Sequence, residues 1–348
     1  MKILALVCCA LVLPSVARSQ DADMEHRPFA IGEINYFGYG GVPLQKVRAA
    51  VPWHVGDTLT FATFSKKPVE EAVRSALGEP PTDVNITCCD PSGHLEVFIG
   101  LPGSTFHPVK TAHNPSGDAR LDPEGLRLYT QEGPLLAQAV ARGNAGEDDS
   151  QGYMLWNDPE LKNVNLAMRT YALDRETELK QVLQTSSSPQ DRRAAAALLG
   201  YARSSIAQAE ALSQATTDPD SDVRNNAVRA LFVLSAASTV DHPQINPKPL
   251  IDLFYSGSWT DRNKASLLLL RMTDSRNPVV LRALQREALP PLVEGASWAD
   301  VPGHSTPFLL LLGRIEGIPD QKLEDMIKGG DKAKIIAAAT AAGASPGH

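Results

Sequence analysis

Between residues 177 and 315 the chain repeats one pattern four times. An apolar helix-like run ends, a short polar loop follows, an aspartate appears, and a second apolar run begins. The segments are TELKQVLQTSSSPQDRRAAAALLGYA, AQAEALSQATTDPDSDVRNNAVRALFVL, IDLFYSGSWTDRNKASLLLLRM and PPLVEGASWADVPGHSTPFLLLLGRI. Their acids are Asp191, Asp222, Asp261 and Asp300, spaced by 31, 39 and 39 residues. Ser258-Trp259 recurs as Ser297-Trp298, and the leucine run 267–270 recurs at 309–312. One such helix pair cannot bury its own apolar face, so a recurrence of this period predicts helix pairs stacked on their neighbours. An all-α superhelical solenoid over residues 157–345 is therefore expected. It starts at Asp158-Pro159-Glu160, an acid-rich first turn with proline where a helix tolerates it.

Within the second unit, DVRNNAVRAL resembles the HEAT-repeat family through Asp222, Val223-Arg224, Ala227 and Leu231. DRRAAAALLG repeats the pattern with Asp191 and Arg193, and the third unit keeps Asp261, Arg262 and Ala265. The fourth keeps Asp300 but has Pro302 in place of the arginine. Each helix start leaves unpaired N–H groups at the corner between helices, and an aspartate there can cap them. An arginine reaching into the adjoining corner can pair with its acid or its carbonyls. Asp191, Arg193, Asp222, Arg224, Asp261, Arg262 and Asp300 are thus read as structural corners rather than catalytic groups. Asn225 and Asn226 are less explained by stacking and are candidates for facing a partner. Trp259 and Trp298 occupy equivalent corners, where they can serve inter-repeat packing or form an aromatic binding platform.

The N-terminal part reads differently. IGEINYFGY is rich in β-formers and ends in glycines. VPLQKVRAAV and KPVEEAVRSALG carry one-sided apolar stripes, the second closed by Gly78. DVNITCC and HLEVFIGL alternate around Asp90-Pro91-Ser92-Gly93, placing Val84, Ile86, Leu95, Val97 and Ile99 inward. The order is β-α-α-β-β over residues 28–103. With VPLQKVRAAVPWHVGDTL and the hairpin at Gly93, this segment resembles a POTRA domain. The resemblance implies a non-catalytic docking module that takes partners at its sheet edge. Residues 104–156, rich in Pro, Gly, Ser and Asn, are expected to be a linker with one helix near Pro134–Arg142. The fold class expected is an α+β N-terminal domain followed by a HEAT-like solenoid.

Residues 1–19 have a basic Lys2, a short apolar run from Ile3 to Leu13, and small residues Ala17 and Ser19 before a cleavage point. This is the pattern of a secretory signal peptide, so export to the periplasm or the outside of the cell is expected. A lipoprotein reading at Cys8 and Cys9 meets a bulky Val7 where a small residue is needed. No later stretch is apolar for long enough to span a bilayer. The full chain carries 33 basic and 40 acidic residues, a formal net charge of −7. That balance argues against a nucleic-acid partner. Cys88 and Cys89 are adjacent; strand neighbours point to opposite faces, so one buried and one exposed thiol is the plain reading, with a vicinal disulfide as the alternative.

No metal-protease, P-loop, dinucleotide or nucleophile-elbow motif is present. Gly38-Tyr39-Gly40-Gly41 follows a strand without a P-loop lysine, and reads as a tight turn. Cys88, Cys89, His94, His107 and His113 are the one grouping that could gather a metal, although adjacent cysteines suit a single tetrahedral ion poorly. The expectation is a non-enzymatic scaffold without a cofactor that binds a protein partner. The alternatives are a metal-dependent enzyme built on that grouping, or a purely structural envelope protein.

Overall fold

A computed structural model describes residues 26–90, 92–111, 114–236, 245–298 and 303–343. The first strand, β1 (Phe29–Phe37), is followed by α1 (Leu44–Ala50), β2 (Thr58–Leu59), α2 (Lys67–Leu77), β3 (Asp83–Cys88) and β4 (Leu95–Gly100). The sheet order is β2-β1-β4-β3; β4 lies parallel to β1 and antiparallel to β3. The β3–β4 turn is held by Asp90, whose Oδ1 accepts the N–H groups of Ser92 and His94. Period-two alternation puts Tyr36, Val84, Val97 and Ile99 on one face, and the register shift in β1 between Ile31 and Glu33 brings Ile31 to the same side. There they form a core with Val47 of α1 and Val69, Val73 and Ala76 of α2. The β-α-α-β-β order is present, with the two-residue β2 added between the helices.

Helices dominate the rest of the chain. They are α3 (Pro123–Ala141), α4 (Pro159–Thr185), α5 (Pro189–Leu199), α6 (Ile206–Ala215) and α7 (Ser221–Ala236), with a short β5 (Glu147–Asp148) and β6 (Leu155–Trp156) ahead of α4. Then come α8 (Pro247–Leu253), α9 (Trp259–Met272), α10 (Pro278–Glu287), α11 (Leu289–Ala296), α12 (Ser305–Ile315), α13 (Asp320–Lys328) and α14 (Lys332–Gly343). Asp158 caps α4 by accepting from Glu160 and Leu161 N–H. α4 kinks at Arg175, whose backbone is non-helical.

The segment expected to be a linker is largely helical. α3 begins eleven residues before Pro134, because Asp122-Pro123-Glu124 is the same start signal as Asp158-Pro159-Glu160: Asp122 accepts from Gly125 N–H and Pro123 sits in the first turn. Pro134 lies inside the helix, where it removes one backbone hydrogen bond.

The chain divides into two compact units, and the division differs from the boundaries read from the sequence. One is Lys110–Leu250; the other joins Ala22–Val109 to Ile251–His348. Residues 28–103 therefore do not stand apart, and residues 157–345 are shared between the two. The reason lies in β4. All six of its residues are buried, not only the alternate ones. Val97 and Ile99 face the α1–α2 side, and the intervening Glu96 and Phe98 are covered by residues of the C-terminal helices and their loops. Phe98 stacks on Trp259 at 4.4 Å between centroids and meets Trp298 edge-on at 5.3 Å. Phe37 on the same face meets Trp298, which also packs on Phe308 of α12.

Candidate functional site

The inter-helix corners are built by arginines. Arg192 donates from Nη1 to Ser186 O at 2.9 Å, Arg224 from Nη1 to Asp218 O at 2.7 Å, and Arg262 from Nε to Ser256 O at 2.8 Å. In each case the carbonyl lies six residues earlier, at the end of the preceding helix or its loop. Two of the arginines also hold an acid from the following helix pair. Arg192 grips Asp218 with two bonds of 2.8 and 3.0 Å, and Arg262 donates to Glu294 at 3.1 Å. Both pairs are buried.

The structural register is therefore Arg192, Arg224, Arg262. Arg193, expected in the first corner, lies one position further out and pairs with Asp220 at 2.6 and 2.8 Å and with Asp222 at 3.3 Å. The Asp220 bond, aided by the two acids' charge and opposed by partial burial, holds its guanidinium above the usual range. The carbonyl six residues back separates the two arginines of DRR, and it is invisible to a match on Asp-x-Arg.

The aspartates also differ from expectation. Ser188 caps α5, accepting from Asp191 N–H. Asp220 receives the Asp222 and Val223 N–H groups at the start of α7, while Asp218 receives that of Asp220. Asp191 instead accepts Leu121 N–H at 3.0 Å, and Asp261 accepts Ser256 Oγ–H at 2.5 Å. Asp222 is exposed. Asp300 lies outside the described residues.

Asn226 donates to Tyr129 of α3 and to Arg193 O, and Asn225 donates to Asn226 Oδ1. These amides tie α7 to α3 and α5 rather than projecting clear of the helices. Trp259 and Trp298 do not form an exposed platform either. They are 8% and 3% exposed, clasp Phe98, and Trp298 Nε1 donates to Tyr36 O at 2.9 Å.

The histidine–cysteine grouping does not assemble. Cys88 and Cys89 are joined by a vicinal disulfide, in place of the two separate thiols expected. His94 bonds Asp90, His107 stacks on Tyr255, and His113 lies outside the described residues. Among the described residues no group of three or more His, Cys, Asp or Glu is arranged so that it could hold a metal ion.

What sequence reasoning missed is Glu294. This buried carboxylate accepts Gly38 N–H at 2.8 Å, Tyr39 N–H at 3.1 Å and Thr105 Oγ–H at 2.5 Å, besides Arg262. The glycine turn thus does bind an anion with successive backbone amides, and the anion is a side chain 256 residues away. Gly38 sits at φ +71 with Leu101 O against its Cα, so a side chain there would be strained and would clash. Beside this knot opens a polar cleft of about 250 Å³, lined by Glu33, Tyr36, Tyr39, Arg48, Trp298 and Lys332 among others. Burial raises both phenols. Arg48 draws each back, and Glu294 adds to the rise at Tyr39.

Residues 176–271 match the family described as HEAT repeats, beginning one residue past the kink in α4. No curated protein matches the chain.

Proposed function

We propose, from the HEAT repeats at 176–271, that this protein is an exported, non-enzymatic scaffold that binds a protein partner. The repeat match is the observation that carries the reading: HEAT units are helix pairs whose stacked faces serve protein–protein contact. The charged residues that could suggest chemistry are engaged in the fold. Arg192, Arg224 and Arg262 hold helix corners, and their acids hold arginines, hydroxyls or backbone amides. Export rests on the residue pattern at 1–19. The POTRA-like reading of residues 28–103 rests on the β-α-α-β-β order and adds a sheet edge as a second contact surface.

An apolar contact is available on α4. Leu166 and Leu173, two turns apart and therefore on one side of the helix, are 43% and 42% exposed. The test is capture from the native extracellular or periplasmic fraction with the purified protein and with Leu166→Glu/Leu173→Glu. A specific partner retained by the native protein and lost by the variant, at unchanged melting temperature, supports the reading. Absence of any specific partner, or turnover of a small-molecule substrate by the purified protein, overturns it.

A further inference from the structure

Within the Lys110–Leu250 unit, α3, α5 and α7 enclose a small cavity of about 80 Å³. Tyr129 and Glu132 of α3, Tyr201 just past α5 and Arg229 of α7 bring polar groups to it. Met154, Ala197, Ala230 and Val233 give it an apolar lining. Ala230 and Val233 lie one turn apart, on one side of α7, and both are buried, as is Met154. Sites for whole small molecules run to about 300–1,000 Å³. A cavity of this size admits the end of one side chain instead.

Glu132 and Arg229 are the charged residues of the lining, and they do not serve each other. Arg229 Nη2 donates to Glu147 Oε1 at 2.7 Å, and its guanidinium lies over the Trp156 ring at 5.6 Å. Glu132 meets no cation among the described residues. Its Oε1 accepts from Trp156 Nε1 at 3.2 Å and from Asn165 Nδ2 at 3.1 Å, both neutral donors. Its Oε2 takes no bond from the described residues. Burial is the largest cause raising the phenols of Tyr129 and Tyr201, so both stay neutral beside it. One half-buried carboxylate thus stands unmatched among aromatic and aliphatic side chains, where a charge acts more strongly than in open water.

We propose that this cavity receives a lysine side chain of the partner protein, its methylene stem against Met154, Ala230 and Val233 and its ammonium group donating to Glu132 Oε2. A lysine stem buries readily along apolar surface while its head keeps a polar partner. Arginine fits less well. A guanidinium binds a carboxylate best through two parallel bonds, one to each oxygen, and Oε1 of Glu132 is already taken by Trp156 and Asn165. A compact ammonium needs only the remaining oxygen. The chain as a whole carries a net charge of −7 and draws a basic surface toward it at long range. The proposal rests on the protein-binding reading above and names one site for it, apart from the exposed leucines of α4.

The probe is a fluorescein-labelled, C-terminally amidated heptapeptide of glycine and alanine with one central lysine, followed by anisotropy on the full chain. Counterparts carry arginine or Nε-acetyl-lysine at the centre, and n-butylamine serves as the free amine. The lysine peptide is expected to bind about tenfold or more tighter than the acetylated one, as for a bond to a charged group, and tighter than the arginine peptide. Unlabelled lysine peptide should shift the methyl signal of Met154 in a spectrum of the methionine methyl groups. Glu132→Gln keeps an oxygen for Trp156 and Asn165 but replaces Oε2 by a donor. It should weaken the lysine peptide about tenfold at unchanged melting temperature. The comparison of peptides and the Met154 signal use the native protein, so they decide the matter even if that variant is unstable. Equal binding of the lysine and acetyl-lysine peptides, arginine bound as tightly as lysine, no binding up to millimolar concentration, undiminished binding by Glu132→Gln, or an unmoved Met154 signal each overturns the proposal. So does n-butylamine binding as tightly as the peptide, which would assign the cavity to a free amine. The Leu166→Glu/Leu173→Glu variant should bind the peptide normally. Partner capture that persists while the peptide fails removes the cavity alone; failed capture with the lysine peptide still bound removes the scaffold reading instead.

Discussion

At the residue scale the most consequential pair is Arg262 and Glu294. Both are almost fully buried, and burial pushes the guanidinium down to about 10 against the pull of Glu294. Desolvation is the larger effect, so the pair earns its place through the geometry it imposes: one guanidinium reaches Ser256 O, Thr105 O and Glu294 at once. Removing one partner leaves the other charge buried and alone. Arg262→Met is expected to cost about 3–5 kcal/mol, read as a fall in the denaturant midpoint at unchanged slope. Acid acts on the other kind of corner. Burial alone would raise the Asp220 carboxyl, but its bonds from Arg193 and the N–H groups of α7 outweigh that and hold it below the ordinary range. Its folded-state value is thus lower than its unfolded one. The stabilisation is present above the unfolded value of about 3.9 and disappears as pH falls through the folded value. Asp220→Asn should flatten the loss of melting temperature between about pH 4 and pH 2, measured on a Lys110–Leu250 fragment to isolate that unit. The sequence pointed to arginine-built corners. Arg193 does reach the acids of the next corner, Asp220 and Asp222, but the sequence reading passed over Arg192, because two adjacent arginines satisfy one motif and only the bond to Ser186 O marks the inner one.

At the scale of elements, β4 explains most of the differences between expectation and structure. Its alternation reads as a strand with one buried face, and Val97 and Ile99 do face a core. Phe98 is as buried as they are, yet nothing near it in sequence announces a cover. Phe98→Ala should cost about 3–5 kcal/mol, as for a large aromatic removed from a packed core. Its melting transition should be followed by tryptophan fluorescence, because Trp259 and Trp298 both touch the ring. A second-face residue on a solvated sheet would cost far less. α3 shows the reverse case: its N-terminal signal at Asp122-Pro123 was legible, but the proline at 134 drew the start of the helix too late.

At the scale of the molecule, the two segments Ala22–Val109 and Ile251–His348 form one unit. Residues 26–109 expressed alone would expose Phe37, Glu96 and Phe98 to water. They are expected to be insoluble or unfolded by circular dichroism and amide dispersion, and to become ordered when co-expressed with residues 251–343. Lys110–Leu250, which has its own contacts, is expected to fold by itself. An independently folding 26–109 fragment would show that the C-terminal helices are not needed to complete the sheet.

Periodicity along the chain is a local property, and it sufficed for the helix pairs, the HEAT resemblance, the strand alternation and the polar corners between helices. These follow from which side chains recur on one face of a helix or strand. Which faces meet is not local. The Glu294 carboxylate in the Gly38 turn, the two tryptophans on Phe98, and the union of the first strand segment with the last helices join residues separated by more than 150 positions. Such contacts depend on shape and charge complementarity between surfaces that exist only once the elements have formed, and for that reason the tertiary structure alone decided them.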